Sequence, residues 1–268
     1  MSGPVPELVR RGLTALRRSA FWWGFATVAF AVLNMAFWPS FESSGSLTDL
    51  EDSMGDLLEA FGAQGLSTSA GYLDGQLYAL MLPLLLSAMA LIQVTGLTSG
   101  DEDAGRLELL HALPVRRRAI WLARYLAVVV VLAVVAAITA AVVGAALGPF
   151  SLDEVNVGSV VAATFACALL AAFHAAVGFL AGAAGCRRGL AAGIAVVVLV
   201  AGYILSYLVP LADGLAGARK WSPWYWALGE QPVSDGVSAG RLLVLGAVTA
   251  VLVIAGLVAI ERRDIRPA

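Results

Sequence analysis

Apolar residues in this chain gather into six long runs, at residues 19–38, 75–98, 119–147, 157–184, 190–212 and 241–260, separated by short stretches rich in charge, Pro or Gly. A helix needs about 20 apolar residues to cross the hydrocarbon of a bilayer, and each run reaches that length. The pattern predicts an all-α integral membrane protein of six transmembrane helices. Ala, Val, Leu and Gly dominate the runs. Small residues such as Gly144, Gly178, Gly182, Gly189 and Gly193 allow helices to approach closely, which matters because lipid offers no hydrophobic drive for helix association.

Three stretches outside the runs are amphipathic. In residues 1–18, Leu8, Val9, Gly12, Leu13, Ala15 and Leu16 fall on one arc at helical spacing, opposite Arg10, Arg11, Arg17 and Arg18. This predicts a helix lying in the membrane interface, leucines in the acyl boundary and arginines toward headgroups. Between the first and second runs, Leu47, Leu50, Met54, Leu57, Leu58 and Phe61 recur opposite Asp49, Glu51, Asp52, Asp56 and Glu59, predicting an acidic amphipathic helix that packs on the bundle or covers its mouth. Between the second and third runs, Leu107, Leu110 and Leu113, with Leu109 beside them, give a short helix an apolar edge that wants a partner. Ser99 and Glu102 have the spacing of a capping box, Asp101, Glu102 and Asp103 suit a helix start, and Pro114 ends the pattern before Arg116, Arg117 and Arg118.

Composition agrees with the periodicity: 60% of residues are hydrophobic, 13% are charged, and the mean hydropathy is +0.84. Charge then orients the helices. With the amino terminus inside, cytoplasmic segments hold 14 of the 17 basic residues, leaving Arg219, Lys220 and Arg241, whereas residues 39–74 carry seven acids and no Lys or Arg. Both termini are therefore expected in the cytoplasm, with segments 39–74 and 213–240 outside and 262–268 as a cytoplasmic tail. Four arginines precede a long first run, which reads as an uncleaved span that directs insertion and not as a signal peptide. Cys167 and Cys186 lie roughly 28 Å apart along one helix at about 1.5 Å per residue and are read as free thiols. Trp221, Pro223, Trp224, Tyr225 and Trp226 suit the headgroup level, as an aromatic anchor.

Reaction chemistry is sparse. Lys220 is the lone lysine and no Gly-x-x-x-x-Gly-Lys precedes it, so this sequence supplies no phosphate cradle for ATP. His111 and His174 are the two histidines, one in a predicted cytoplasmic segment and one within a span, which leaves no metal set. A Ser206 and His174 pair lacks the Gly-x-Ser-x-Gly context of a serine hydrolase. Of the polar residues inside the runs, most are expected to bond neighbouring helices. Asn34, His174, Tyr203, Ser206 and Tyr207 are candidates for a substrate path, the last three sharing a face at i, i+3 and i+4. No ionised side chain is expected deep in a span.

The run GDEDAGRLELLHALPVRRRAIWLAR resembles the segment before the third span of ABC-2 type transporter permeases, an acidic residue followed by Gly-x-Leu-Glu-Leu-Leu and then Leu-Pro-Val with basic residues. SPWYWALGEQPVSDG and the IERRDI ending are similar to further stretches of that family, and the likeness covers nearly the whole chain. It implies a plasma-membrane permease subunit of an ATP-driven exporter, paired with a second permease copy, with ATP and Mg held on a separate ATPase chain and no cofactor or catalysis on this one. Residues 1–18 would be the elbow helix and 19–261 the transmembrane domain. Within segment 99–118, Glu102, Gly105, Arg106, Leu107, Glu108, Leu109, Leu110, Leu113 and Pro114 would couple to the ATPase, with Arg187 and Arg188 as a second cytoplasmic contact. The implied cargo is a hydrophobic or amphipathic drug, lipid or peptide, moved outward; lipid surrounds the chain and nucleic acid has no part. A secondary transporter or channel without an ATPase, and an intramembrane enzyme, are the alternatives; the first predicts buried ionisable groups or broken helices, of which Pro83 and His174 are the sequence's main hints.

Overall fold

The computed structural model describes residues 4–61, 63, 65–105, 116–212 and 214–263. Six of its helical segments are long and apolar enough to cross a membrane: Val5–Ser44, Ser69–Asp103, Arg117–Ala146, Val157–Ala183, Arg188–Leu211 and Ala239–Arg262. They coincide with the six runs to within a few residues at most ends; the first begins 14 residues before its run and the second begins six before and ends five after, because helical hydrogen bonding continues into the polar flanks.

The first of them, α1 (Pro4–Ser44), joins the expected elbow and the first span in one 41-residue helix. The apolar arc of residues 8–16 is there, but the protein itself covers part of it. A Cβ on Gly12 would stand 2.8 Å from Ala127 Cβ, and Leu16 is buried, while Glu7 bridges the exposed Arg10 and Arg11 at 2.9 and 3.3 Å. The sequence cannot distinguish lipid from a neighbouring helix as the cover for an apolar arc, since both are hydrocarbon. Helix α2 (Ser46–Ala60) forms as predicted but kinks at Met54. Leu47 is buried, whereas Leu50, Met54, Leu57 and Phe61 remain exposed.

The second span is broken. Helix α3 (Ser69–Leu73) passes into a π-turn at Asp74–Tyr78, and α4 (Met81–Leu97) restarts after Leu80 leaves helical geometry at φ −139°. Pro83 sits in the first turn of α4, where its missing N–H forfeits no helical bond. A five-residue helix, α5 (Ser99–Asp103), follows.

Helices α6 (Arg117–Ala146), α7 (Val157–Ala183), α8 (Arg188–Tyr207) and α10 (Ala239–Arg262) complete the bundle, with the short α9 (Pro223–Leu228) capping its far end. Helix α7 is central, packing against α4, α6, α8 and α10, while α1 lies chiefly along α6. Small residues set these distances: a Cβ on Gly178 would stand 2.8 Å from Leu91, and one on Gly256 would stand 2.7 Å from the Phe179 ring. Polar side chains bridge the helices as expected. Tyr78 OH meets Thr164 Oγ1 at 2.9 Å, Ser87 Oγ meets His174 Nδ1 at 3.0 Å, and Tyr125 OH donates to Ala172 O at 3.0 Å. Both cysteines are free, Cys167 buried and Cys186 partly so.

Candidate functional site

One end of the bundle gathers the start of α6, the α7–α8 link, the end of α10 and helix α5, which follows α4 directly. Successive residues of a helix point about 100° apart, so the three consecutive acids of α5 fan out toward different neighbours. Asp101 Oδ2 lies 2.9 Å from Arg124 Nη2 on α6, with both side chains largely buried. Glu102 Oε1 pairs with Arg263 Nη2, just beyond α10. Asp103 Oδ2 accepts from the Arg188 backbone N–H at 3.0 Å, a carboxylate at the positive start of α8. Arg263 extends the cluster by donating to Gly182 O at 3.0 Å, and its own carbonyl accepts from Arg117 Nη1 at 3.0 Å. Arg124 Nη1 donates to Leu97 O, and Arg118 pairs with Glu261 at 3.2 Å. Losing one member of a buried ion pair typically costs about 3–5 kcal/mol, so this cluster fixes the relative positions of four spans.

Two expectations are corrected here. The capping box is absent: Ser99 Oγ is buried without a hydrogen-bond partner, Thr98 holds the N-cap position but its hydroxyl donates back to Val94 O at 2.6 Å, and Glu102 reaches Arg263 instead. An ion pair with a guanidinium is stronger than a carboxylate bond back to a backbone N–H, so tertiary charge overrides the local motif. Ionisable groups are also buried in the bundle: Asp74 is 1% exposed and Arg124 8%. Asp74 is fully engaged, accepting from Val233 N at 2.8 Å, Ser234 N at 2.9 Å and Ser234 Oγ at 2.7 Å, and so ties the second span to the last connecting loop. The signal for Arg124 was its place inside the third apolar run, where a charge demands a partner.

Of the residues singled out for coupling, Glu102 is in the cluster and Gly105 ends α5 at φ +68°, the left-handed turn glycine permits after a helix. Arg106, Leu107, Glu108, Leu109, Leu110, Leu113 and Pro114, together with His111, lie outside the described residues. Arg187 is the N-cap of α8, and Arg188 joins it to Asp103. The two stretches read separately in the sequence thus meet at α5.

The path candidates divide into two groups. Tyr203 and Tyr207 rings lie 5.0 Å apart, Tyr203 meets the Trp224 ring at 5.2 Å, and Ser206 is buried on the same helix. Asn34 instead accepts from Tyr72 OH at 2.9 Å through its backbone carbonyl, and His174 is held by Ser87. The aromatic loop is also more internal than an anchor: Trp224 is fully buried, its Nε1 donating to Leu199 O at 3.1 Å, and Ser222 Oγ donates to Gly202 O at 2.6 Å. Trp221, by contrast, is 78% exposed. A lateral groove of about 740 Å³ between α1 and α6, lined by Phe21, Phe25, Val28, Val130, Val134 and Ile138, has Arg17 as its charged member. Among the described residues no group of His, Cys, Asp and Glu is arranged to hold a metal ion.

No curated protein matches this chain. The family described as multidrug efflux system permease Rv1217c, C-terminal domain, matches residues 12–260, which include all but the ends of the six-helix bundle. The chain therefore belongs to that family, and is a membrane permease of an efflux system.

Proposed function

We propose that this chain is the membrane-spanning subunit of an ATP-driven ABC-2 type exporter, working in the plasma membrane with cytoplasmic termini, a second permease copy and a separate ATPase that carries ATP and Mg. The observation that supports this reading most is the fan of Asp101, Glu102 and Asp103. These acids stand immediately before the Leu-rich segment that resembles the coupling helix of that family, and tie α5 to α6, α8 and the end of α10. A push on residues 106–115 by a closing ATPase would pass through α5 into three spans at once. The bundles of the two copies then rock apart on the outer side.

The cargo is a hydrophobic or amphipathic molecule. The apolar groove between α1 and α6 is large enough for a drug-sized body and offers Arg17 to an anionic group. Tyr203, Ser206 and Tyr207 supply polar contacts on the way out. Arg263→Gln tests the transmission. The variant is expected to insert and bind the ATPase normally while ATP-dependent efflux falls several-fold; full efflux at equal abundance would remove the cluster from the coupling path.

A further inference from the structure

Arg219, Lys220 and Arg241 are the basic residues that the cytoplasmic tally leaves over, and the fold brings them to one edge of the bundle. Arg219 and Lys220 belong to a 3₁₀ turn (Ala216–Trp221) before α9, and Arg241 to the first turn of α10, at the end opposite the acid–arginine cluster. Both guanidinium groups converge on the ring of Tyr225 on α9. Arg219 Cζ lies 5.6 Å from its centroid and Arg241 Cζ 4.8 Å, within the range of attraction between a cation and an aromatic face. Trp226 Nε1 donates to Lys220 O at 2.7 Å, which holds the backbone of the exposed Lys220 against the same helix.

Charge at this edge is not balanced among the described residues. Arg219 pairs with Glu230 at 2.6 Å, but the partly exposed Arg241 makes no ion pair there, and its Nε has no hydrogen-bond partner. The dipole of α10 adds to the imbalance, since a cation in the first turn of a helix is disfavoured and no acid in that turn offsets it. Yet the position is built. Gly229 holds φ +71°, and a Cβ there would stand 2.6 Å from Arg241 Nη2 and 2.9 Å from Nη1, so the guanidinium occupies room that only glycine leaves. A cation fixed beside a second cation, with Glu230 as the carboxylate paired at this edge, calls for an anion.

The surroundings choose the anion. Leu243, two residues beyond Arg241, is 74% exposed, and Trp221, next to Lys220, is exposed as well. On a membrane-spanning helix an exposed leucine faces acyl chains, so these bases stand where the span meets the headgroups, the level at which lipid phosphates lie. We propose that this edge binds the phosphodiester of an anionic phospholipid in the adjoining leaflet. Arg241 offers the forked donors that suit phosphate, Lys220 adds a second positive charge, and Trp221 flanks the lipid. A zwitterionic lipid brings its own cation to the same place and gains less. The binding is a property of this chain alone and stands or falls separately from the ATP-driven reading.

The test uses the full chain in phosphatidylcholine nanodiscs carrying phosphatidylglycerol or phosphatidylcholine brominated on the acyl chains. Quenching of Trp221 is read as the fluorescence difference between each protein and its Trp221→Phe counterpart. Brominated phosphatidylglycerol is expected to quench Trp221 at about a fivefold lower fraction than brominated phosphatidylcholine, in keeping with at least one interfacial charge contact. Arg241→Gln should remove most of that preference. Lys220→Gln, at an exposed side chain, should lessen it without disturbing packing. Arg10→Gln, which removes a charge at the other end of the bundle, should leave it unchanged, and excess soluble glycerol phosphate should not relieve the quenching. Equal quenching of the unaltered chain by the two lipids would overturn the site, as would a preference that survives both Arg241→Gln and Lys220→Gln. Loss of the preference in Arg10→Gln would reduce it to general basicity, and relief by glycerol phosphate would assign the cluster to a dissolved anion; either result overturns the lipid site.

Discussion

Single residues set the tolerances of this bundle, and glycine sets the tightest. At Gly202 an added Cβ would stand 2.9 Å from Trp224 Cδ1 and 3.5 Å from Pro223 Cδ, whereas at Gly246 nothing lies within 4 Å. Gly202→Val is therefore expected to displace the buried indole and destabilise the protein by about 1–3 kcal/mol, as overpacking does. Gly246→Ala should be near neutral. Thermal unfolding of the detergent-solubilised chain checks the pair, and equal melting temperatures would contradict the docking of Trp224 on α8. In the sequence Trp224 is indistinguishable from an interfacial anchor, because a Trp in a connecting loop looks the same whether it faces headgroups or a glycine notch. What separates them is tertiary: Ser222 Oγ bonding Gly202 O and the indole N–H bonding Leu199 O. At the same scale, Ser99 and Glu102 had the spacing of a cap, and only the position of Arg263 in space reveals where the carboxylate goes.

At the scale of elements, much more was legible. The six spans follow from run length alone, because the bilayer imposes one requirement on every helix that crosses it. Position along the sequence did not reveal that α1 swallows the elbow, nor that the second span breaks between Tyr78 and Met81. That break is held by Asp74, which anchors the π-turn to Val233 and Ser234 of the loop before α10. Asp74→Ala leaves those two N–H groups without their acceptor. Hydrogen exchange at Val233 and Ser234 is expected to accelerate about 10- to 100-fold, the equivalent of one to two lost buried bonds. Unchanged exchange there would mean that the loop is held by other contacts. The cluster around α5 was half legible: both stretches are identifiable in the sequence, but their meeting at Asp103 and Arg188 depends on how α4 and α8 approach.

The whole molecule presents apolar residues outward along its sides, including Phe21, Trp22 and Phe25 on α1, Val197 on α8 and Leu243, Val251 and Ile254 on α10, as a body dissolved in lipid must. Charge concentrates at the two ends, with the ion-paired Arg124 and Arg263 at one and the Arg219–Glu230 pair at the other. In the proposed machine the arginine end receives mechanical work from an ATPase bound to residues 106–115, and α5 passes it into the spans. The most direct test is purification of the chain from its native membrane in mild detergent, with stoichiometric partners identified by mass spectrometry. The account predicts a P-loop ATPase that co-purifies with the unaltered chain and is lost from the Leu107→Asp, Leu110→Asp variant, which should still insert. Repeated purification without an ATPase, or retention of the ATPase by that variant, would contradict it.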